Sequence, residues 1–377
     1  MKIQIANIPL IDHHAHNLLE PEVFRQYPYS AAFSEGSDPP IIDYHARQTL
    51  CYRRSLRDIG ALLQCEPTEA AILERREKLG IERLTQLCLS RSNIQSIFLD
   101  DGFQAEQILP LEWHQKFLPV YRLLRIESLA ETLFSEIASF EKFLDSFRDR
   151  LTNLPANVVG FKSIAAYRTG LAIASISQQE AKTAFDLLKQ TDKERPFRLQ
   201  NKSLIDFLLA TALEIAQRSQ MPIQFHTGFG DRDLDLFFSN PLHLRSILED
   251  SRYSNVPIVL LHGSYPFTRQ AAYLASVYPQ VYLDFGLAIP FLSVSGMRDT
   301  LRNLLELAPT SKIMYSSDAH FIPELYYLGS RWGREILKQV LIESIQDGDL
   351  TELEAETIAR SILLENARNL YQIESKD

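Results

Sequence analysis

Ile8-Pro-Leu-Ile-Asp-His-His-Ala-His16 decides the reading of this chain, because an apolar, strand-like segment runs directly into a cluster of imidazoles near its start. Successive side chains of a strand point to opposite faces. His14 and His16 are therefore expected on one side, able to share a metal ion, with Asp12 on that side one step deeper and His13 pointing away. Histidines gathered in a surface loop would look the same over so short a run, and repetition of the pattern elsewhere separates the two readings.

Val158–Lys162, Met221–His226, Pro257–His262 and Lys312–Asp318 are further strand-like runs, each ending in a residue able to bind or bridge a metal. Short continuous apolar runs of this kind are what buried parallel strands look like. Ile94–Asp100, Phe117–Arg125 and Val281–Phe285 bring the candidate strands to eight. Helix-compatible stretches at Ser203–Ser219, Asn240–Asp250, Thr268–Tyr278 and Gly296–Leu307 alternate with the later strands, which predicts an α/β fold, a (β/α)8 TIM barrel. The candidate ligands then fall at the C-terminal ends of strands one, four, five, six and eight, the face on which such barrels assemble active sites.

With 377 residues, 45% of them hydrophobic, the chain fits one large barrel domain spanning residues 1–377, and no Pro/Gly/Ser-rich linker divides the strand series. The stretch of about 18–90 is the main insertion, after strand one. Tyr44–Asp58 and Pro67–Leu79 have helix-compatible composition, and Pro67 precedes a Glu-rich first turn, so a helical cap is expected over the barrel mouth. Tyr27, Tyr29, His45, Arg47 and Tyr52 of that cap are candidate substrate contacts.

A net charge of −9 argues against a general nucleic-acid or membrane-surface binder, and no apolar run approaches the length of a membrane span. The N-terminus lacks a signal-peptide pattern, and Cys51, Cys65 and Cys88 are sparse and odd in number, so a cytoplasmic protein without a disulfide framework is expected. Its partner is expected to be a small-molecule substrate, and a homo-oligomer is open.

The residues at the strand ends resemble the pattern of the amidohydrolase superfamily: His-x-His on strand one, a lysine on strand four, single histidines on strands five and six, an aspartate on strand eight. Here these positions read His14, His16, Lys162, His226, His262 and Asp318. Phe161-Lys-Ser-Ile-Ala-Ala-Tyr-Arg-Thr-Gly170, Ser317-Asp-Ala319 and Asn366-Ala-Arg-Asn-Leu-Tyr371 look closest to the amidohydrolase-related (amidohydrolase 2) branch, which includes domains fused ahead of a glutamine-synthetase-like module. The resemblance implies a divalent metal, zinc first on the nitrogen-rich ligand set, with manganese, iron or nickel as alternatives, and one or two ions per chain. It also implies that Lys162 is carboxylated and bridges two ions. The competing role is a protonated Lys162 holding a substrate carboxylate beside a single ion.

Asp318 is the candidate proton carrier, since an aspartate at a strand end can ligate the metal and accept the proton of the attacking water. Its bland alternative is a buried helix cap. Arg125, Tyr167, Arg168, Asp284 and His320 follow or end neighbouring strands and are candidate substrate contacts; a guanidinium fork at Arg125 or Arg168 suits an acidic substrate. The expected activity is metal-dependent hydrolysis of an amide or other C–N bond of a small carboxylate-bearing molecule. A metal-dependent decarboxylase and a non-catalytic regulatory domain are the alternatives.

Overall fold

In the computed structural model, which describes residues 3–191 and 196–373, eight parallel strands hydrogen-bond in sequence order into one sheet. They are β1 (Leu10–Ala15), β2 (Ile94–Asp100), β3 (Val120–Arg125), β4 (Val158–Ser163), β5 (Ile223–Phe225), β6 (Ile258–Leu260), β7 (Val281–Asp284) and a short last strand, Ile313–Met314. Beyond Met314 the chain runs alongside β1: Asp318 N donates to His14 O at 3.0 Å and His16 N donates to Ala319 O at 2.7 Å. These bonds close the sheet into a (β/α)8 barrel. All eight predicted strands are present, several shorter than expected.

The surrounding helices follow their sequence signals. Phe140–Thr152 starts at Ser139, whose side chain accepts from Lys142 N, and buries Phe140, Phe143, Leu144, Phe147 and Leu151 as one stripe against the barrel. The predicted helix Asn240–Asp250 is broken instead. Pro241 opens a 3-10 turn to Leu244, a single α-turn covers Arg245–Leu248, and the Asp250 side chain then accepts from Arg252 N to start a third turn. Inside the barrel, Ile11, Phe98, Leu123, Val259, Leu261 and Met314 pack with Leu364, Ala367 and Tyr371, so the C-terminal segment fills the interior up to His13, whose Nδ1 lies 3.3 Å from the Tyr371 hydroxyl.

The insertion between β1 and β2 carries helices Pro21–Gln26, Leu50–Leu63 and Glu69–Ser92. The second begins at Leu50 rather than Tyr44 because Thr49 caps it, accepting from Tyr52 N; Thr68 caps the third, which kinks at Gly80 (φ 67°), just past the expected end at Leu79, and resumes to Ser92. Arg76 of that long helix meets Glu324 of helix Glu324–Asp347 at 2.9 Å, with side chains 5% and 0% exposed, and stacks over the rings of Phe24 and Tyr29. This buried pair pins the insertion to the barrel.

Removing one partner of a buried ion pair strands the other charge, so Arg76→Ala should lower stability in urea unfolding by about 3–5 kcal/mol. Arg76→Met combined with Glu324→Leu should recover most of that loss. Equal damage from the single and double variants would show that the charge pair is not what holds the insertion down.

Candidate active site

Three of the predicted metal-site residues meet around the carboxylate of a fourth, Asp318, and the other two join through them. Asp318 Oδ1 lies 3.1 Å from His14 Nε2 and 3.4 Å from His16 Nε2, and Oδ2 lies 3.9 Å from His262 Nδ1. Lys162 Nζ lies 3.3 Å from His14 Nε2. His226 joins one step removed, its Nδ1 3.0 Å from His262 Nε2 and its Nε2 3.0 Å from Phe229 O. Donor atoms of His14, His262 and Asp318 all lie within 4.8 Å of one another, as do those of His14, His16 and Asp100.

Asp318 Oδ1 and His262 Nδ1 are buried without a hydrogen-bond partner. Buried polar atoms are rarely left unpaired, and here they belong to groups that face each other. Burial, with the Lys162 charge second, lowers the His14 imidazole to about 4, and burial also holds His226 and His262 well below the usual histidine range. All three are therefore neutral at pH 7, the form that ligates a metal. Burial alone would raise the Asp318 carboxyl, but His262, His14 and His16 outweigh it and keep the group well below the ordinary carboxylate range. Neutral imidazoles around an ionised carboxylate with unpaired donor atoms fit a divalent cation.

The backbone is strained at the same place. His262 (φ 67°), Ser264 (49°), Leu287 (56°), Asp318 (53°) and Phe321 (63°) are non-glycine residues in left-handed conformation, gathered at the C-terminal mouth of the barrel. Such strain persists where the surrounding structure imposes it, and it clusters at functional sites.

One expectation about β1 fails. The pairing register with β2 shifts between Asp12 and Ala15, so simple alternation breaks there. His13 does not point away: it is buried, with Nε2 3.4 Å from Asp284 Oδ2 and its carbonyl accepting from Gln224 Nε2 at 2.8 Å. Asp12 does not join the imidazoles. Its carboxylate accepts from Ser317 N at 2.8 Å and Ser317 Oγ at 2.5 Å, across the barrel seam, and burial lifts it to about 7 against those two bonds.

A pocket of about 500 Å³ opens above the cluster. Arg125, Tyr167, Arg168 and His320 all line it, but the two arginines are already engaged. Arg125 pairs with Asp100 at 2.6 Å and donates to Gly102 O at 3.0 Å; Arg168 donates to Glu131 at 3.1 Å. Asp284 is a correction: it is sealed below the pocket floor, one oxygen accepting from His262 N and the other from Ser316 Oγ, each at 2.5 Å. It orients His262 and cannot touch a substrate. From the insertion, Tyr27 reaches the pocket, whereas Tyr29 and Tyr52 pack with Phe33, Arg47 pairs with Glu69 at 2.8 Å, and His45 is exposed.

Several residues of the site escaped the sequence reading, Asp100 beneath the pocket and two that line it. Asp100 ends β2 beside His16, whose Nδ1 lies 2.9 Å from Asp100 O. Burial opposes its ionisation, but Arg125, His16 and Lys162 outweigh burial and keep it ionised. The strand-end rule that found Asp318 would have found it. Glu35 of the insertion and Asp231 of the loop after β5 line the pocket, with no comparable signal in the sequence. Burial, then the charges of Asp318 and Asp231, push the Glu35 carboxyl up to about 8.

A barrel whose strand ends gather neutral imidazoles, a lysine and an aspartate beneath an open pocket defines the class of metal-dependent (β/α)8 proteins. The amidohydrolase sequence profile matches residues 185–373, and the chain belongs to that family, whose members generally use a divalent metal. It is similar to protein fluG of Emericella nidulans, 32% identical over 98% of this chain and 46% of that protein, so it spans about half the length of that curated relative. A structure from Lactobacillus casei, provisionally described as a metal-dependent hydrolase, is 29% identical with a TM-score of 0.85, covering 98% of this chain and 96% of that one. A uronate isomerase from Bacillus halodurans shares the fold, with a TM-score of 0.64 at 13% identity over 98% of this chain and 95% of its own.

Tyr167 lies tilted against His226, ring centroids 4.5 Å apart, in space that Gly230 leaves open: a Cβ there would lie 2.0 Å from the Tyr167 hydroxyl and 3.1 Å from His226 Nε2. Gly230→Ala should therefore lower stability by about 1–3 kcal/mol, the usual cost of overpacking. Adding Tyr167→Phe, which removes the clashing oxygen but leaves ring Cζ 2.8 Å from that Cβ, should relieve part of the loss in urea unfolding. No relief would place the strain elsewhere.

Proposed function

We propose that the protein is a metal-dependent hydrolase that cleaves an amide or other C–N bond of a small, carboxylate-bearing molecule. The observation that carries this reading is the convergence of His14, His16 and His262 on the Asp318 carboxylate, with unpaired donor atoms, at the base of an open pocket. His14, His16, His262 and Asp318 would hold the ion, with Lys162 and His226 alongside. A bound divalent ion, zinc by ligand type, supplies Lewis acidity and lowers the pKa of a water molecule.

The chain's own residues divide the remaining work. Asp318 accepts the proton of the attacking water and returns it to the leaving nitrogen, for which its ionised state at neutral pH suits it. Lys162 is assigned as a carbamate. Burial lowers its ammonium to about 8, with Asp100 and Asp318 partly opposing, so roughly a tenth is neutral amine at pH 7, the form that reacts with carbon dioxide. The resulting anion would supply the bridging oxygens that an ammonium cannot. Tyr167 and His320 face the space above, and the guanidinium groups of Arg168 and Arg198 line the same pocket, which supports a carboxylate on the substrate.

Asp318→Asn keeps the shape and removes the base, so hydrolysis of a cleaved amide should fall on the order of 10²-fold or more. Near-normal turnover in that variant would take the proton-carrier role away from Asp318. Lys162→Ala should lose a bridged metal pair together with nearly all activity, and small carboxylic acids in the buffer should restore part of both. Metal content measured side by side decides: one ion per chain in both wild type and variant would overturn the two-ion arrangement.

A further inference from the structure

The pocket's cations and anions are unequally partnered. Each arginine that lines it already has a carboxylate: Arg125 has Asp100 at 2.6 Å, Arg168 has Glu131 at 3.1 Å and Arg198 has Asp233 at 2.8 Å. Two lining carboxyls have none. Among the described residues no lysine or arginine nitrogen lies within 4.0 Å of Glu35 or Asp231, and the contact recorded for the Asp231 side chain is the turn bond from Asp233 N at 2.8 Å. They stand on separate loops, Glu35 in the insertion after β1 and Asp231 after β5, yet line one pocket, where the Asp318 charge first and the Asp231 charge next act on Glu35. The aromatic rings of Tyr27, Phe103 and Tyr167 line the same space.

Carboxyls at a pocket wall without a salt bridge, Asp231 feeling Arg198 and Arg168 only from further off, beside aromatic faces, make the environment that a protonated amine completes by charge-assisted hydrogen bonds and ring contacts. We propose that Glu35 and Asp231 form a subsite for a protonated amine, so that the molecule cleaved is a zwitterion carrying an ammonium group as well as a carboxylate. The reaction in this statement rests on the hydrolase reading above, whereas the binding does not. The ammonium group is held on the part of the wall built by the two loops.

The test is binding rather than turnover. Isothermal titration of zinc-reconstituted protein with β-alanine, γ-aminobutyrate and ε-aminocaproate is compared with the fatty acid of the same length in each case. At least one amino acid of the series should bind about tenfold or more tightly than its fatty acid, as expected for one charge-assisted contact. Glu35→Gln and Asp231→Asn should each remove most of that preference while leaving zinc content unchanged. Equal binding of every pair by wild type, or a preference that survives both substitutions, would overturn the subsite. Loss of zinc in the folded Glu35→Gln variant would overturn it too, since the carboxyl would then serve the metal. A preserved amine preference in a protein that cleaves no amide would retire the hydrolase reading and leave the subsite standing.

Discussion

Everything at the mouth of this barrel depends on one carboxylate surrounded by imidazoles. Asp318 stays ionised in a buried position only because His14, His16 and His262 outweigh the cost of its burial. His14 and His262 in turn are kept neutral by burial of their own. The Asp318 charge pulls His14 and His262 the other way, toward protonation, but burial outweighs it, and together the groups form a concentration of lone pairs that a divalent ion satisfies. The hydrogen bonds around them point the same way: Asp284 holds His262 through its backbone N–H, and Asp100 O holds His16 through Nδ1. Partners that fix ligand orientation at one remove are a general requirement of metal sites.

The barrel and the six strand-end positions were legible because each is tied to an apolar run, and a run of that kind fixes both the strand and the place where it ends. What the pattern could not supply was local geometry. The register shift in β1 sends Asp12 to the seam and His13 into the interior, reversing what strict alternation gives. Asp284 and Asp100 occupy equivalent strand ends, yet one is sealed beneath His262 and the other stands next to His16; only the turn that follows each strand separates them. Arg125 reads as a free fork until Asp100 is seen to fill it. Glu35 and Asp231 lie in loops whose course follows from tertiary packing, so nothing in their neighbours' composition marks them.

The insertion shows a similar division. Thr49 and Thr68 set its helix starts, and capping chemistry of that kind is visible in sequence. That Arg76 would cross to Glu324 is not, because the partners are far apart in the chain and both types are ordinarily exposed. The pair orients the insertion so that Tyr27 and Glu35 face the pocket while Tyr29 and Tyr52 turn inward.

The closing bonds between β1 and the segment after the last strand join residues about three hundred positions apart, Asp318 N to His14 O among them. Contacts of such sequence separation form late, since loop-closure entropy must be overcome first. During synthesis, His14, His16 and Asp100 can come together once β1 and β2 have paired, but the carboxylate that completes the cluster waits for nearly the whole chain. Ion affinity and global folding are thereby one equilibrium: a cation that binds the finished cluster stabilises every helix of the barrel, and local opening of the seam releases it.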